Sequence, residues 1–128
     1  MKVHESAENY LETILVLSHS NPHVRSIDIV NELGFSKPSV SVAMKNLRQN
    51  GYITMDSDGF IQLTEKGTSI AEMIYERHTF ISQWLIHLGV DKKQALDDAC
   101  RIEHVISPES FQASFAAIKT HVENHQKS

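Results

Sequence analysis

Two short apolar segments flank a glycine between residues 26 and 51, and no other part of the sequence restricts the fold as much. In the first, Ile27, Ile29, Val30 and Leu33 recur at helical spacing, with Ser26 as the expected N-cap. Gly34 stands where a helix end takes a left-handed residue. After Phe35, Ser36 is the expected cap of a second helix, with Pro38 inside the first turn, where proline is tolerated. Val40, Val42, Ala43, Met44 and Leu47 are its apolar set, and it ends near Asn50 and Gly51. Two short helices joined by a tight glycine turn have the form of a helix-turn-helix. Residues 52–55 and 60–63 then read as two short strands around the turn sequence Asp56-Ser57-Asp58-Gly59. A small hairpin after a helix-turn-helix makes a winged helix.

Helices are expected on both sides of this unit. Tyr10, Leu11, Ile14 and Leu15 give residues 6–18 a helical period. Thr64 is the expected cap of a long helix reaching about residue 88, with Ile70, Ile74, His78, Ile81 and Leu85 on one stripe and Gly89 as its stop. Asp91 opens the next helix. Ser107 and Pro108 separate it from a last one, whose expected inward face is Phe111, Phe115, Ile118 and Val122; the tail from His125 is expected to fray. The fold class is therefore mainly α: a winged helix-turn-helix over residues 1–63, followed by an all-helical domain over residues 64–128.

Composition removes several classes. No apolar run approaches a membrane span, and the first residues lack the apolar stretch of a secretory signal, which points to the cytoplasm. A single cysteine, Cys100, excludes an internal disulfide framework. The net charge of −4 is mildly acidic, so the location of the cations matters more than their total. Lys37, Lys45 and Arg48 are the charged residues between Ser36 and Tyr52, and no acid lies among them. This local excess suits double-stranded DNA. Lys37 and Ser39 are expected toward bases, with Ser36 and Ser41 beside them at the start of the helix; Lys45 and Arg48, with Arg25, are expected toward phosphates. Asp56 and Asp58 at the wing tip oppose phosphate.

The second half carries different chemistry. Cys100, Glu103 and His104 fall at i, i+3 and i+4, on one face of a helix. Thiolate, carboxylate and imidazole together suit a transition metal better than calcium or magnesium. Cys100 and Glu103 share a stripe with Leu96, Ala99 and Ile106, and a carboxylate buried there needs a partner. His78 interrupts the Ile74–Ile81 stripe, and Asn9 and Glu12 share a face of the first helix. A bound cation would satisfy all of them. The remaining histidines, His4, His19, His23, His87, His121 and His125, share no spacing and read as surface residues.

The stretch from Ala7 to Ile14, the winged helix with Leu63-Thr64-Glu65-Lys66-Gly67, the pair Arg77-His78 and the stretch from Ala99 to Ser107 resemble the diphtheria toxin repressor and manganese transport regulator family. The resemblance covers nearly the whole chain and ends before the SH3-like third domain of longer members. It implies a homodimeric transcriptional repressor, activated by Fe(II) or Mn(II), that controls metal homeostasis genes from a DNA operator. It further implies that the second half is the metal-binding and dimerisation domain, with the dimer interface on the helices from Thr64 and Asp91. Its primary site corresponds to Asn9, Cys100, Glu103 and His104, and the second metal position of manganese-type members to Glu12 and His78. Asn9 departs from the pattern, since iron-type members carry methionine there and manganese-type members aspartate. Cys100 is an iron-type feature. Ser82 and Leu96 stand where the ancillary site of iron-type members needs acidic and histidine residues, so that site is not expected. A thiolate favours Fe(II), and also Zn(II), Ni(II) or Co(II), over Mn(II); Fe(II) is the first candidate and Mn(II) the second.

Two other readings compete with this one. A metal-independent winged-helix regulator would hold Cys100, Glu103 and His104 as core residues and would take up no metal. An enzyme with Cys100 as nucleophile and His104 as base would need an oxyanion site and a third catalytic group, and the sequence shows neither. No enzymatic activity and no small-molecule substrate are expected.

Overall fold

A computed structural model describes the backbone of residues 5–126 and the side chains of residues 6–120. The element order is α1 (Glu5–Ser18), α2 (Ser26–Leu33), α3 (Lys37–Gln49), β1 (Ile53–Met55), β2 (Ile61–Leu63), α4 (Glu65–His87), α5 (Lys92–Val105) and α6 (Pro108–Gln126). Two compact units result, Met1–Tyr75 and Glu76–Ser128, with the division inside α4.

The first unit is a winged helix. Its core contains Tyr10, Leu11 and Ile14 from α1, Ile29 from α2, Val40, Met44 and Leu47 from α3, Ile53 and Ile61 from the hairpin and Ala71 from α4. These positions are the inward members of the helical and alternating patterns, which is why the apolar period found the elements. α2 departs from expectation at its start. Its N-cap is Arg25 rather than Ser26. The carboxylate of Asp28 reaches back and accepts the Arg25 backbone N–H at 2.9 Å, so the capping group lies three residues inside the helix. Gly34 ends α2 in the left-handed conformation, φ 72°, and its N–H bonds the Val30 carbonyl. Ser36 caps α3 as expected, accepting the Ser39 N–H at 3.2 Å.

β1 and β2 pair antiparallel with Ile53 opposite Leu63 and Met55 opposite Ile61. Asp56 Oδ1 accepts the N–H groups of Asp58 and Phe60, both at 2.9 Å, which folds the wing tip. The Ile61 N–H bonds the Val24 carbonyl at 2.7 Å, tying the segment before α2 to the wing. At the start of α4, Thr64 Oγ1 accepts the Gly67 N–H and donates to the Gly51 carbonyl. Position 67 must be glycine, because a Cβ there would lie 2.0 Å from the Tyr52 carbonyl oxygen.

The second unit holds the rest of α4, α5 and α6. Gly89, at φ 100°, closes α4. The Asp91 carboxylate caps α5 by accepting the Lys93 N–H at 3.2 Å, and Ser107 Oγ accepts the Ser110 N–H at the start of α6. Phe80 packs between Phe111 and Phe115, with ring centroids 5.8 and 4.6 Å away. Of the expected inward face of α6, Phe111 is buried and Phe115 and Ile118 half-buried; Val122 lies outside the described side chains. The helix continues through His125 and Gln126, and the last two residues of the expected frayed tail lie outside the described residues.

Candidate metal centre and nucleic-acid interface

The buried row of α5 is Ala95, Ala99 and Glu103, one residue per helical turn. Glu103 is thus driven inward by its own helix, and its exposure is 0 %. His78, on α4, places Nδ1 2.9 Å from Glu103 Oε2, and His104 places Nε2 3.3 Å from Oε1. Among the described residues, neither carboxylate oxygen accepts a hydrogen bond of ordinary geometry. A carboxylate left so in an apolar interior costs several kcal/mol, as an order of magnitude. The groups that face it are imidazole nitrogens, which offer lone pairs as readily as protons. Cys100, Glu103 and His104 each bring one ligand atom to within 4.8 Å of the others. Thiolate, carboxylate and imidazole so gathered fit a divalent transition cation, and a cation is the partner this carboxylate needs.

Cys100 does not sit as its stripe implied. It is exposed, as is Leu96, while Ala99 and Glu103 are buried. The row at every fourth residue from Ala95 faces inward, so Cys100 approaches Glu103 from the solvent side. Asn9 and Glu12 belong to α1 in the first unit, where both are half-buried and one helical turn apart. The Asn9 carbonyl accepts the Thr13 hydroxyl at 2.8 Å. Ser82 is buried and bonds the Thr79 carbonyl.

One residue of this region had no role in the sequence reading beyond its place in a motif. Arg77 is only 6 % exposed, and its Nη1 donates to the backbone carbonyls of Glu103 and Ile106, each at 3.2 Å. An arginine on an amphipathic helix ordinarily reads as solvent-exposed, and only its adjacency to His78 marked it.

The residues expected to meet nucleic acid lie on the first unit. Val40, Met44 and Leu47 turn α3 inward, which leaves Lys37, Ser39, Ser41, Lys45 and Arg48 exposed. Ser36 is exposed too, but its hydroxyl is engaged as the cap and donates to Ser39 Oγ at 2.8 Å. Arg25 stacks on the Phe60 ring beside the wing turn, 4.5 Å from its centroid, and His23 packs against the same ring. Asp56, read as repelling phosphate, is spent on the turn itself. Arg48 Nη1 contacts Met55 Sδ at 3.9 Å.

Comparison with known proteins follows the same division. The iron-dependent repressor N-terminal DNA-binding domain matches residues 2–59, and the iron-dependent repressor metal-binding and dimerisation domain matches residues 64–124. The chain belongs to the iron-dependent repressor family. An HTH-type transcriptional regulator of Methanocaldococcus jannaschii is 34% identical over 110 residues, covering 84% of this chain and 88% of the relative. The transcriptional regulator MntR of Salmonella typhimurium is 32% identical over 117 residues, 91% of this chain and 74% of its own. Among solved structures, the manganese regulator SloR superposes with a TM-score of 0.78 at 25% identity; the match covers 93% of this chain and 55% of SloR, so the chain spans about half of that protein. As a member of this family the chain is a metal-dependent DNA-binding transcriptional repressor and not an enzyme.

Proposed function

We propose that the chain represses metal homeostasis genes as a homodimer, and that Fe(II), or in second place Mn(II), switches it to its operator-binding state. The buried Glu103 carboxylate, faced by His78 and His104 without an ordinary hydrogen bond, is the observation that supports this reading most. Glu103, His78 and His104 hold the cation, Cys100 adds its thiolate from the solvent side, and Glu12 and Asn9 complete the ligand set from α1. Bound there, a cation would supply the positive charge that the buried Glu103 carboxylate needs. α1 contributes Tyr10, Leu11 and Ile14 to the winged-helix core, so engaging Asn9 and Glu12 restrains the unit that carries α3. Lys37 and Ser39 then meet base edges, with Ser36 and Ser41 beside them, while Lys45, Arg48 and Arg25 neutralise phosphates.

The ligand types support the order of metals. Cys100 favours Fe(II); the carboxylates and imidazoles accept either ion, and the relative described as a manganese regulator supports Mn(II) as the second candidate. Dimerisation is supported by exposed apolar residues on the second unit: Ile86 on α4, Leu88 just after it, and Leu96 and Val105 on α5. They lie on the two helices proposed for the interface, and a symmetric dimer sets the spacing of the two α3 helices. Operator binding in chelated buffer, with Fe(II) or Mn(II) added back under anaerobic conditions, tests the switch. Tight binding is expected only after metal is restored; equal affinity in both buffers would overturn it.

A further inference from the structure

Arg77 is a cation buried to 94% by its 6 % exposure, yet no carboxylate is paired with it among the described residues. Its two hydrogen bonds go to backbone carbonyls, and both carbonyls belong to the end of α5. The Glu103 carbonyl lies in the last turn, which ends at Val105, and the Ile106 carbonyl lies in the link to α6. Carbonyls at a helix C-terminus lack intrahelical donors, and a cation there also meets the negative end of the helix dipole. The guanidinium also lies over Phe111 of α6, 5.2 Å from the ring centroid. One side chain of α4 therefore fixes the end of α5 and the start of α6.

The place of this clamp matters because of its neighbours. Arg77 precedes His78, whose Nδ1 faces Glu103 Oε2, and it bonds the carbonyl of Glu103 itself. It leaves both carboxylate oxygens of Glu103 without an ordinary hydrogen bond, although a buried arginine beside a glutamate usually takes the carboxylate. Backbone and side chain of Glu103 are thus divided between two tasks: the carbonyl is held by Arg77, and the carboxylate stays open toward His78 and His104. We propose that Arg77 is a positioning residue for the metal centre, which sets the distance between the α4 ligand and the α5 ligands. The proposal rests on the metal-centre reading above. A purely structural role would lower stability alone.

Co(II) separates these roles, since its absorption bands report ligand geometry as well as affinity. Calorimetric titration and saturated Co(II) spectra would be taken on the full chain as wild type, Arg77→Met, Arg77→Lys and Phe111→Leu, at a temperature where each is folded. Arg77→Met is expected to lose about 10–100-fold in Co(II) affinity, with displaced bands at saturation. Arg77→Lys keeps a cation but not the planar fork, and is expected to fall between the two. Phe111→Leu loosens the same packing while sparing the carbonyl bonds; a lower Tm with wild-type affinity and bands is expected. Wild-type affinity and bands in either Arg77 variant would overturn the proposal, as would an equal loss in Phe111→Leu. If Arg77→Met does not fold, Arg77→Lys decides by the same criterion. Failure of the wild type to bind Co(II) would refute the metal centre itself, before any variant is compared.

Discussion

Leu11, Ile14, Ile29, Val40 and Met44 fill the winged-helix unit with apolar side chains, whereas the helical unit buries Glu103, Arg77 and Ser82 beside two alanines and Phe111. Each large apolar side chain of the first unit contributes roughly 2 kcal/mol by leaving water. Among the described residues, the only Thr, Ser or charged side chain buried with them, Thr13, bonds the Asn9 carbonyl. Such an interior holds together without a ligand. In the second unit the same calculation changes sign at Glu103, whose charge is costly where it lies unless a cation meets it. The difference supports the proposed division of tasks: a first unit that presents a DNA-binding surface by itself, and a second unit that a cation would complete.

The sharpest way to break this contrast is at the carboxylate. Glu103→Gln and His104→Ala should abolish metal-dependent operator binding, with losses in metal affinity beyond the roughly 10–100-fold expected for an outer partner. Calorimetric titration with Mn(II) or Fe(II) checks this, and an unchanged titration would place the ligands elsewhere. In the first unit, Ile29→Ala should cost about 3 kcal/mol in denaturant unfolding while the metal affinity of the folded protein stays the same. A parallel loss of metal affinity would show that the units are not distinct in this way. Lys45→Ala should weaken operator binding evenly across sequences and reduce the slope of log K against log salt by about one. A change confined to one base position would make Lys45 a base reader instead. The smallest effect is expected at Cys100, the exposed member of the proposed ligand set. Cys100→Ser should lower Fe(II) affinity about tenfold and Mn(II) affinity less, narrowing the preference between them. Equal losses for both metals would remove the thiolate from the selectivity argument.

Local chemistry made most of the fold legible. Ser36, Gly34, Asp91 and the Asp56–Gly59 turn act within three or four residues, so the sequence displays both partners of each contact. The start of α2 was missed because its capping group, Asp28, lies downstream of the residue it serves. Cys100, Glu103 and His104 were legible as one face from their spacing, but periodicity does not say which edge of a stripe meets solvent, and Cys100 is exposed where Ala99 and Glu103 are buried. Arg77 was missed because its partners are backbone carbonyls 26 and 29 residues away, and no side-chain pattern reports those.

Hydrogen exchange of the full chain, metal-free and Mn(II)-loaded, tests the contrast most directly, because it reads the two interiors separately in one protein. Metal should raise protection at residues 99–106, the end of α5 and its cap, around His78 in α4 and at residues 9–14 of α1, while amides near Ile29, Val40 and Met44 exchange alike in both states. No added protection at residues 99–106, or an equal rise throughout both units, would contradict a metal-completed second unit beside a self-sufficient first one.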